Sequence, residues 1–349
     1  MKQPKKMLAM QILDVLNKHS DANHRLTQQD IARLLDLEHR VKADRGTIKR
    51  NLFHLVDYGY DIEWTEIPRK DCNGEDNAIC TDWYIQRVFD ESELRLLMDS
   101  LFFSRYVPAK AGKEILKKLE TLSSRHFKAS VSAMSGIQEK TLTNSQLFLT
   151  LAVLDEAIAR HRQVAFTYNV VTMDMKLAPR LDRLGHPIRY LVNPYRMVVA
   201  NGRHYLICNH DRHSNIAHLR IDRITDIELL EHPTKPLSQV EGMEKGLSLP
   251  AHMAEHIYMF SGPSERVVYT IPRDMLDTVV DWFGTGVMIK EKEANLIEIR
   301  VKVNKLAMRY WALQYARYAT VLSPEDLVQQ VRGDLVEAAG RYVKETGTY

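Results

Sequence analysis

Leu8, Ile12, Val15 and Leu16 recur at the three-to-four-residue spacing of an amphipathic helix, so the chain is expected to open on one. It then turns through Ser20-Asp21-Ala22-Asn23. Thr27, followed three residues later by Asp30, makes an N-cap for a second helix whose buried stripe is Ile31, Leu34 and Leu35. Asp44 is placed to cap a third helix over 45–58, which carries Ile48, Leu52 and Leu55 inward. A 100° step per residue then sets Gly46, Arg50 and Phe53 on the opposite side, flanked by Thr47, Lys49 and His54. After Gly59, strand-like segments at 60–65 and 82–85 bracket the polar stretch 69–77, which has the character of a wing.

Further along, 91–101 and 111–122 have helical spacing and 127–143 is a Ser-rich connector. A helix over 147–161 leads into a strand at 164–168. Three short apolar runs follow, at 197–199, 205–207 and 217–221. Between them stand Asn201-Gly202 and Ser214-Asn215, the turn chemistry of hairpins, so Arg203, His204, Tyr205, Arg220 and Arg223 project from a small antiparallel sheet. Neighbours on a strand face opposite sides, so at most one of His204 and Tyr205 need face a ligand. Tyr205 in the core with His204 and Arg203 toward solvent is one of two open arrangements.

The stretch 237–261, preceded by Pro236 and holding Gly242, Gly246 and Pro250, is expected to be a linker. Strands at 266–271, 287–291, 296–303 and 319–322 then alternate with helices at 273–280 and 305–315. A terminal helix starts at Ser323-Pro324-Glu325 with proline in the first helical position. That order fits a ferredoxin-like α+β unit. The aromatic segment 308–318 suits a core or a dimer surface better than a cofactor site.

At 349 residues the chain is long enough for two or three domains, and 45% hydrophobic with 27% charged residues is ordinary globular composition. No apolar run is long enough to span a bilayer and the Lys-rich start leads into an amphipathic helix, so no membrane contact and a cytoplasmic location are expected. Three cysteines, none in a Cys-x-x-Cys pair, cannot make a disulfide framework. The overall charge of +3 says little, but its distribution says more. Residues 1–56 hold eleven Lys and Arg against six Asp and Glu; residues 145–235 hold twelve against nine, with seven of the fourteen histidines. Two separate basic modules suit two places for phosphate.

A helix, a turn and a second helix with a basic outward face form a reading head for the DNA major groove, where Arg can grip guanine through two acceptors. Arg50 is the expected base contact. Arg45, Thr47, Lys49 and His54 would join it on the duplex, with Arg69 and Lys70 of the wing on phosphates. The run Cys208-Asn209-His210-Asp211-Arg212-His213 holds metal-ligating residue types, but at a hairpin tip, so no metal and no cofactor are expected. A nuclease built on Asp182, His186, Asp211 and His213 is conceivable. Nothing in their spacing demands it, and the chain has no phosphate-binding Gly loop, nucleophile elbow or His-Glu-x-x-His helix. The expectation is a protein that is not an enzyme.

His204-Tyr205-Leu206, with Asn193-Pro194-Tyr195-Arg196 upstream and Leu219-Arg220-Ile221-Asp222-Arg223-Ile224 downstream, resembles the flanked Trp-Tyr-Leu strand of the WYL-domain transcriptional regulators of bacteria; His204 departs from their Trp. Thr47-Ile48-Lys49-Arg50 also resembles the start of their third helix. Asn51 stands where an acidic residue is common, and the connection 36–43 is longer than a tight turn.

The resemblance implies a multidomain α+β protein. A winged helix-turn-helix would occupy 1–88, a helical linker 89–144, a WYL domain resembling a five-stranded Sm-like β-barrel 145–235, a linker 236–263, and a ferredoxin-like WCX extension 264–349. The basic helix with its wing, together with the strand-borne Arg, His and Tyr cluster, points to an autoregulating homodimeric repressor on an inverted-repeat double-stranded DNA operator. A nucleotide or short single-stranded nucleic acid would bind at Tyr195, Arg196, Arg203, His204, Tyr205, Arg220 and Arg223. An activator, or an accessory interaction protein of a phage-defence or DNA-damage system, stays open beside it.

Overall fold

The computed structural model describes residues 7–70, 76–102, 104, 107–127, 144–293 and 295–342. It divides into two compact units, 1–140 and 141–349. The architecture is multidomain α+β with antiparallel sheets.

In the first unit, α1 (Leu8–His19), α2 (Gln28–Leu34) and α3 (Arg45–Tyr58) precede the hairpin β1 (Ile62–Lys70) and β2 (Asp76–Ile85). Thr27 and Asp30 make a full capping box on α2, each side chain accepting from the other's backbone. Between α2 and α3, Leu35–His39 form a single π-helical turn that ends at Arg40, whose φ of 54° is left-handed. This turn takes up the extra length of the connection. Ile12, Val15, Leu16, Ile31, Leu35, Ile48, Leu52 and Trp83 are fully buried together. Leu26 and Trp83 exchange two backbone hydrogen bonds of 2.8 Å, which fastens β2 to the chain just ahead of the α2 cap.

Both strands run further than expected, so Arg69 and Lys70 end β1 rather than standing in a loop. The tip of the stretch taken as a wing, 71–75, lies outside the described residues, as do Cys72 and 128–143 of the Ser-rich connector. Two further helices, α4 (Glu91–Phe102) and α5 (Ala109–Glu120), pack Leu94, Met98 and Leu116 against one another.

Asp21 pins the turn after α1. Its carboxylate accepts from Ser124 Oγ (2.6 Å), His24 Nδ1 (2.8 Å) and the backbone N–H groups of Asn23 and His24. Burial opposes the charged form, but these hydrogen bonds more than offset it and hold the carboxyl below its ordinary value of 3.8. A depressed native pKa contributes stability that is fully present above the unfolded value and is lost as pH falls through the native one. Thermal melting should therefore show wild type ahead of Asp21→Asn at neutral pH, with the gap closing below about pH 4. A constant gap across that range would mean that the carboxylate's charge plays no part.

The second unit begins with α6 (Leu147–Ala159), whose Leu147, Thr150, Leu154 and Ala157 are buried. Six strands follow: β3 (Arg162–Val171), β4 (Leu177–Pro179), β5 (Arg189–Ala200), β6 (Arg203–His210), β7 (Ile216–Arg220) and β8 (Ile224–Pro233). The long β3 pairs with β8 on one side and with β5 and β4 on the other, giving an order β8-β3-β5-β6-β7 with the three-residue β4 added. Asn201 and Gly202, with φ of 50° and 69°, turn β5 into β6 as that dipeptide predicts. A single 3-10 turn, Ile221–Arg223, joins β7 to β8.

The segment expected to be a linker is instead part of a core. Val240 and Met259 are buried against Val198, Ile207 and Ile216 of the sheet, and Leu249–Glu255 form a short helix, α7. Its apolar residues are too sparse and irregular to show periodicity, but they match the outer face of β5, β6 and β7.

Beyond it come β9 (Ser264–Pro272), α8 (Leu276–Phe283), β10 (Met288–Glu293), β11 (Leu296–Asn304), α9 (Lys305–Gln314), β12 (Thr320–Ser323) and α10 (Glu325–Gly340). The sheet order is β10-β11-β9-β12, antiparallel throughout. Trp311, Tyr269, Val279 and Ile299 are fully buried, which makes α9 a core helix. Pro324 occupies the N-cap of α10 and not its first helical position, because its backbone is extended (ψ 158°).

Candidate nucleic-acid interface and ligand site

On α3 the predicted contact residues do different things. Asp44 Oδ1 accepts from the Thr47 backbone (2.9 Å), and the Thr47 hydroxyl donates to Asp44 Oδ2 (2.6 Å), so Thr47 is engaged in the cap. Arg45 Nη2 reaches back to Gln29 Oε1 on α2 (2.9 Å), and Lys49 Nζ lies 5.7 Å over the Phe53 ring. Arg50 and His54 are exposed, as are Arg69 and Lys70 at the end of β1.

Phe53 does not share their outward face. It is half-buried, edge-on to Trp64 (5.2 Å) and Trp83 (5.4 Å). The hairpin curls beneath that side of α3 and turns what helical spacing alone marks as exposed into core.

In the second unit the register places Tyr205 beside Val198 on one neighbour and Arg220 on the other. Strand alternation therefore puts Arg203 on the same face as Tyr205, with His204 opposite, and all three are half-buried. Tyr205 packs on the apolar cluster of Val198 and Ile207.

Arg220 is held by Asp222 through two hydrogen bonds, Nε to Oδ1 (3.0 Å) and Nη2 to Oδ2 (2.5 Å), and this bond raises the guanidinium's pKa. The Arg220 backbone N–H donates to Tyr168 Oη (3.1 Å). Burial raises the Tyr168 pKa, while Arg220 and Arg223 favour its ionised form. Burial lowers that of His204, with Asp222 pulling it the other way. Asp222 thus acts electrostatically on Arg220, His204 and Tyr168. Strand periodicity marks neither Tyr168 nor Asp222 as a member of this cluster, although Asp222 lies within the run Leu219 to Ile224.

Tyr195 and Arg196 serve another place. The Tyr195 hydroxyl donates to the Lys235 carbonyl (2.9 Å), and burial pushes its pKa up to about 12. Both residues line an open cavity of about 410 Å³ with Ile158, His161, Lys235 and Leu249. Asn193, beside them in sequence, is fully buried and structural: its Oδ1 accepts from Gln163 Nε2 and from the Lys235 backbone, both at 2.9 Å.

The residues weighed for a nuclease separate in the same way. His186 lies 3.8 Å from Asp182, while Asp211 accepts from Gln163 (2.9 Å) and His213 lies edge-on to His210. Cys208 is fully buried, and burial drives its thiol pKa up, away from the thiolate a metal would need. Among the described residues, no helix is long and apolar enough to cross a membrane.

Residues 150–229 match the family model of the WYL domain, so the chain carries a WYL domain. No curated protein matches the sequence. Among solved structures, the chain is similar to proteasome accessory factor B/C (PafBC) of Arthrobacter aurescens, at 15% identity and a TM-score of 0.29. That match covers 98% of this chain and 50% of the other, so this chain spans half the length of that relative. It is also similar to a CRISPR Cas-related protein, at 13% identity and a TM-score of 0.38, covering 98% of this chain and 87% of that one.

Proposed function

We propose that this WYL-domain chain is a sequence-specific DNA-binding transcriptional regulator. In this reading it acts as an autoregulating homodimeric repressor, without catalytic activity, on an inverted-repeat operator. The observation that carries the reading is α3, a capped helix that follows α2, packs over a two-stranded hairpin and turns exposed Arg50 and His54 outward. Three helices and a hairpin, with the Leu26 bridge as a minimal third strand, are in keeping with a winged helix-turn-helix, whose third helix would enter the major groove.

The order β8-β3-β5-β6-β7, preceded by a helix and with a 3-10 turn before its last strand, is in keeping with an Sm-like barrel. The order β12-β9-β11-β10 with α8 and α9 between its strands, and α10 added after the last, is in keeping with a ferredoxin-like WCX extension.

The effector we propose is a nucleotide or a short single-stranded nucleic acid, bound on the face that carries Arg203, Tyr205 and Arg220. Arginine pairs with phosphate and an aromatic ring stacks a base. Such a ligand releases the operator only if it prefers the state that does not bind DNA.

A titration at fixed salt on the chain's own upstream region should give affinity at least about tenfold above random duplex, centred on an inverted repeat. Added single-stranded oligonucleotide or nucleotide should weaken that complex. Arg203→Glu should abolish the response and leave operator binding intact, because Arg203 lies outside the paired hydrogen bonds that tie Arg220 to Asp222. Loss of operator binding in Arg203→Glu would assign the cluster to structure or dimer formation. Indifference of the wild-type complex to all these ligands would remove the effector.

A further inference from the structure

Three histidines that the regulatory reading does not use converge inside the second unit. His218 lies on β7, His252 on α7, and His256 just past the end of that helix. They are 9%, 5% and 4% exposed. One ring nitrogen from each lies within 4.8 Å of the other two, and the ring centroids are 5.0, 4.8 and 4.3 Å apart.

Buried imidazoles ordinarily find a carboxylate, a carbonyl or one another, and here those partners run short. His218 Nε2 and His252 Nε2 are 2.7 Å apart, a distance at which two lone pairs cannot face each other without a proton between them. His256 Nδ1 donates to the Phe260 carbonyl (2.9 Å), which fixes the tautomer and leaves its Nε2 as a lone pair. The same carbonyl lies close enough to His218 to favour its charged form, yet His218 Nδ1 closes no hydrogen bond among the described residues. The nearby Glu255 carboxylate is engaged with Lys302 Nζ at 2.8 Å. Burial, reinforced by the neighbouring rings, pushes His218 down to about 3; burial and His256 push His252 down to about 4. The three rings are therefore neutral at physiological pH, the protonation state that ligates metal.

We propose that His218, His252 and His256 form a binding site for a divalent transition ion of the zinc class. Three imidazole nitrogens would hold the ion, with a fourth position left to solvent or an added ligand. Zinc–nitrogen bonds of roughly 2.0–2.1 Å in a tetrahedral array need donor atoms a little over 3 Å apart, which small ring rotations from this arrangement supply. An all-imidazole donor set suits zinc, copper or nickel and not calcium or magnesium, which take oxygen. His252 on α7 and His256 at its C-cap are four residues apart and tied by a backbone hydrogen bond from His256 to His252 (3.0 Å), and β7 contributes the third.

Bound metal thus staples the 237–261 segment onto the sheet. It does so on the strand face that also carries Arg220, two residues from His218. The metal site stands or falls independently of DNA binding.

The test uses the full chain, stripped with chelator and titrated with zinc, with cobalt as a spectroscopic substitute. The expected result is one tightly bound equivalent, a cobalt spectrum of four- or five-coordinate geometry, three imidazoles by X-ray absorption and a raised melting temperature. His252→Gln should weaken binding by about a hundredfold or more, the scale on which weakened ligation is felt. His213→Ala, at the exposed hairpin, should leave it unchanged. Equal affinity in wild type and His252→Gln, or no bound equivalent in wild type, overturns the proposal. If His252→Gln fails to fold, the wild-type spectrum decides alone, and fewer than three imidazoles on the metal overturns it.

Discussion

Replacing Trp83 with alanine is expected to destabilise the amino-terminal unit by about 3–5 kcal/mol, the range for removing a large aromatic side chain from a packed core. Trp83 is fully buried, stacked on Trp64 at 5.1 Å and edge-on to Phe53 at 5.4 Å, so its removal leaves a cavity beneath α3. A domain of this size has a total stability of about 5–15 kcal/mol, so much of it would be lost.

Urea unfolding followed by circular dichroism measures this directly. Tyr58→Ala, at a position 82% exposed, serves as the control and should change stability by no more than about 0.5 kcal/mol. Trp83→Phe should be far milder than Trp83→Ala. The Trp83 indole N–H makes no hydrogen bond among the described residues, so phenylalanine keeps most of the apolar contact while removing that donor. A cost below about 1 kcal/mol for Trp83→Ala would mean that the hairpin does not pack under α3 as described.

The second large effect concerns recognition. Arg50→Ala should reduce discrimination between operator and random duplex by about 1–3 kcal/mol, the worth of one two-pronged contact to a base. Arg50 is exposed and caps nothing, so folding should be unaffected. Removing Arg69 or Lys70 should instead weaken binding to both duplexes alike and flatten the salt dependence by about one unit each, as loss of a phosphate contact does. If Arg50→Ala lost the same affinity on both duplexes, Arg50 would be a backbone contact. If none of the three changed binding, α3 would not be the reading helix.

Local chemistry was legible wherever a residue's partner lies within a few positions. The capping box of Thr27 and Asp30, the Asp44 cap, the stripe of Ile48, Leu52 and Leu55 and the Asn201-Gly202 turn all involve neighbours close in sequence, and all appear in the fold. What failed needed a distant partner. Phe53 is inside because Trp64 and Trp83 come to it, and 237–261 is core because Val198, Ile207 and Ile216 offer it an apolar face.

The same limit governs the sites. His252 and His256 stand four apart and could have been paired from their spacing, but His218, 34 residues before His252, could not. Tyr195 and Arg196 look like members of the strand cluster until the bulge after Pro194 and the Lys235 carbonyl draw them to the cavity.

The paired hydrogen bonds between Arg220 and Asp222 bear on how strongly any anion can be felt. The guanidinium already has an anion on its fork, so an incoming phosphate competes with a tethered carboxylate whose local concentration is fixed by the chain. On the proposed reading, weak or scarce anions would lose that competition, and the site would stay silent until a ligand brought more than one contact. Asp222 is also the middle residue of the turn between β7 and β8, so displacing it moves backbone as well as charge. In that proposal the carboxylate would act as a threshold, and winning against it would give a ligand leverage on the fold.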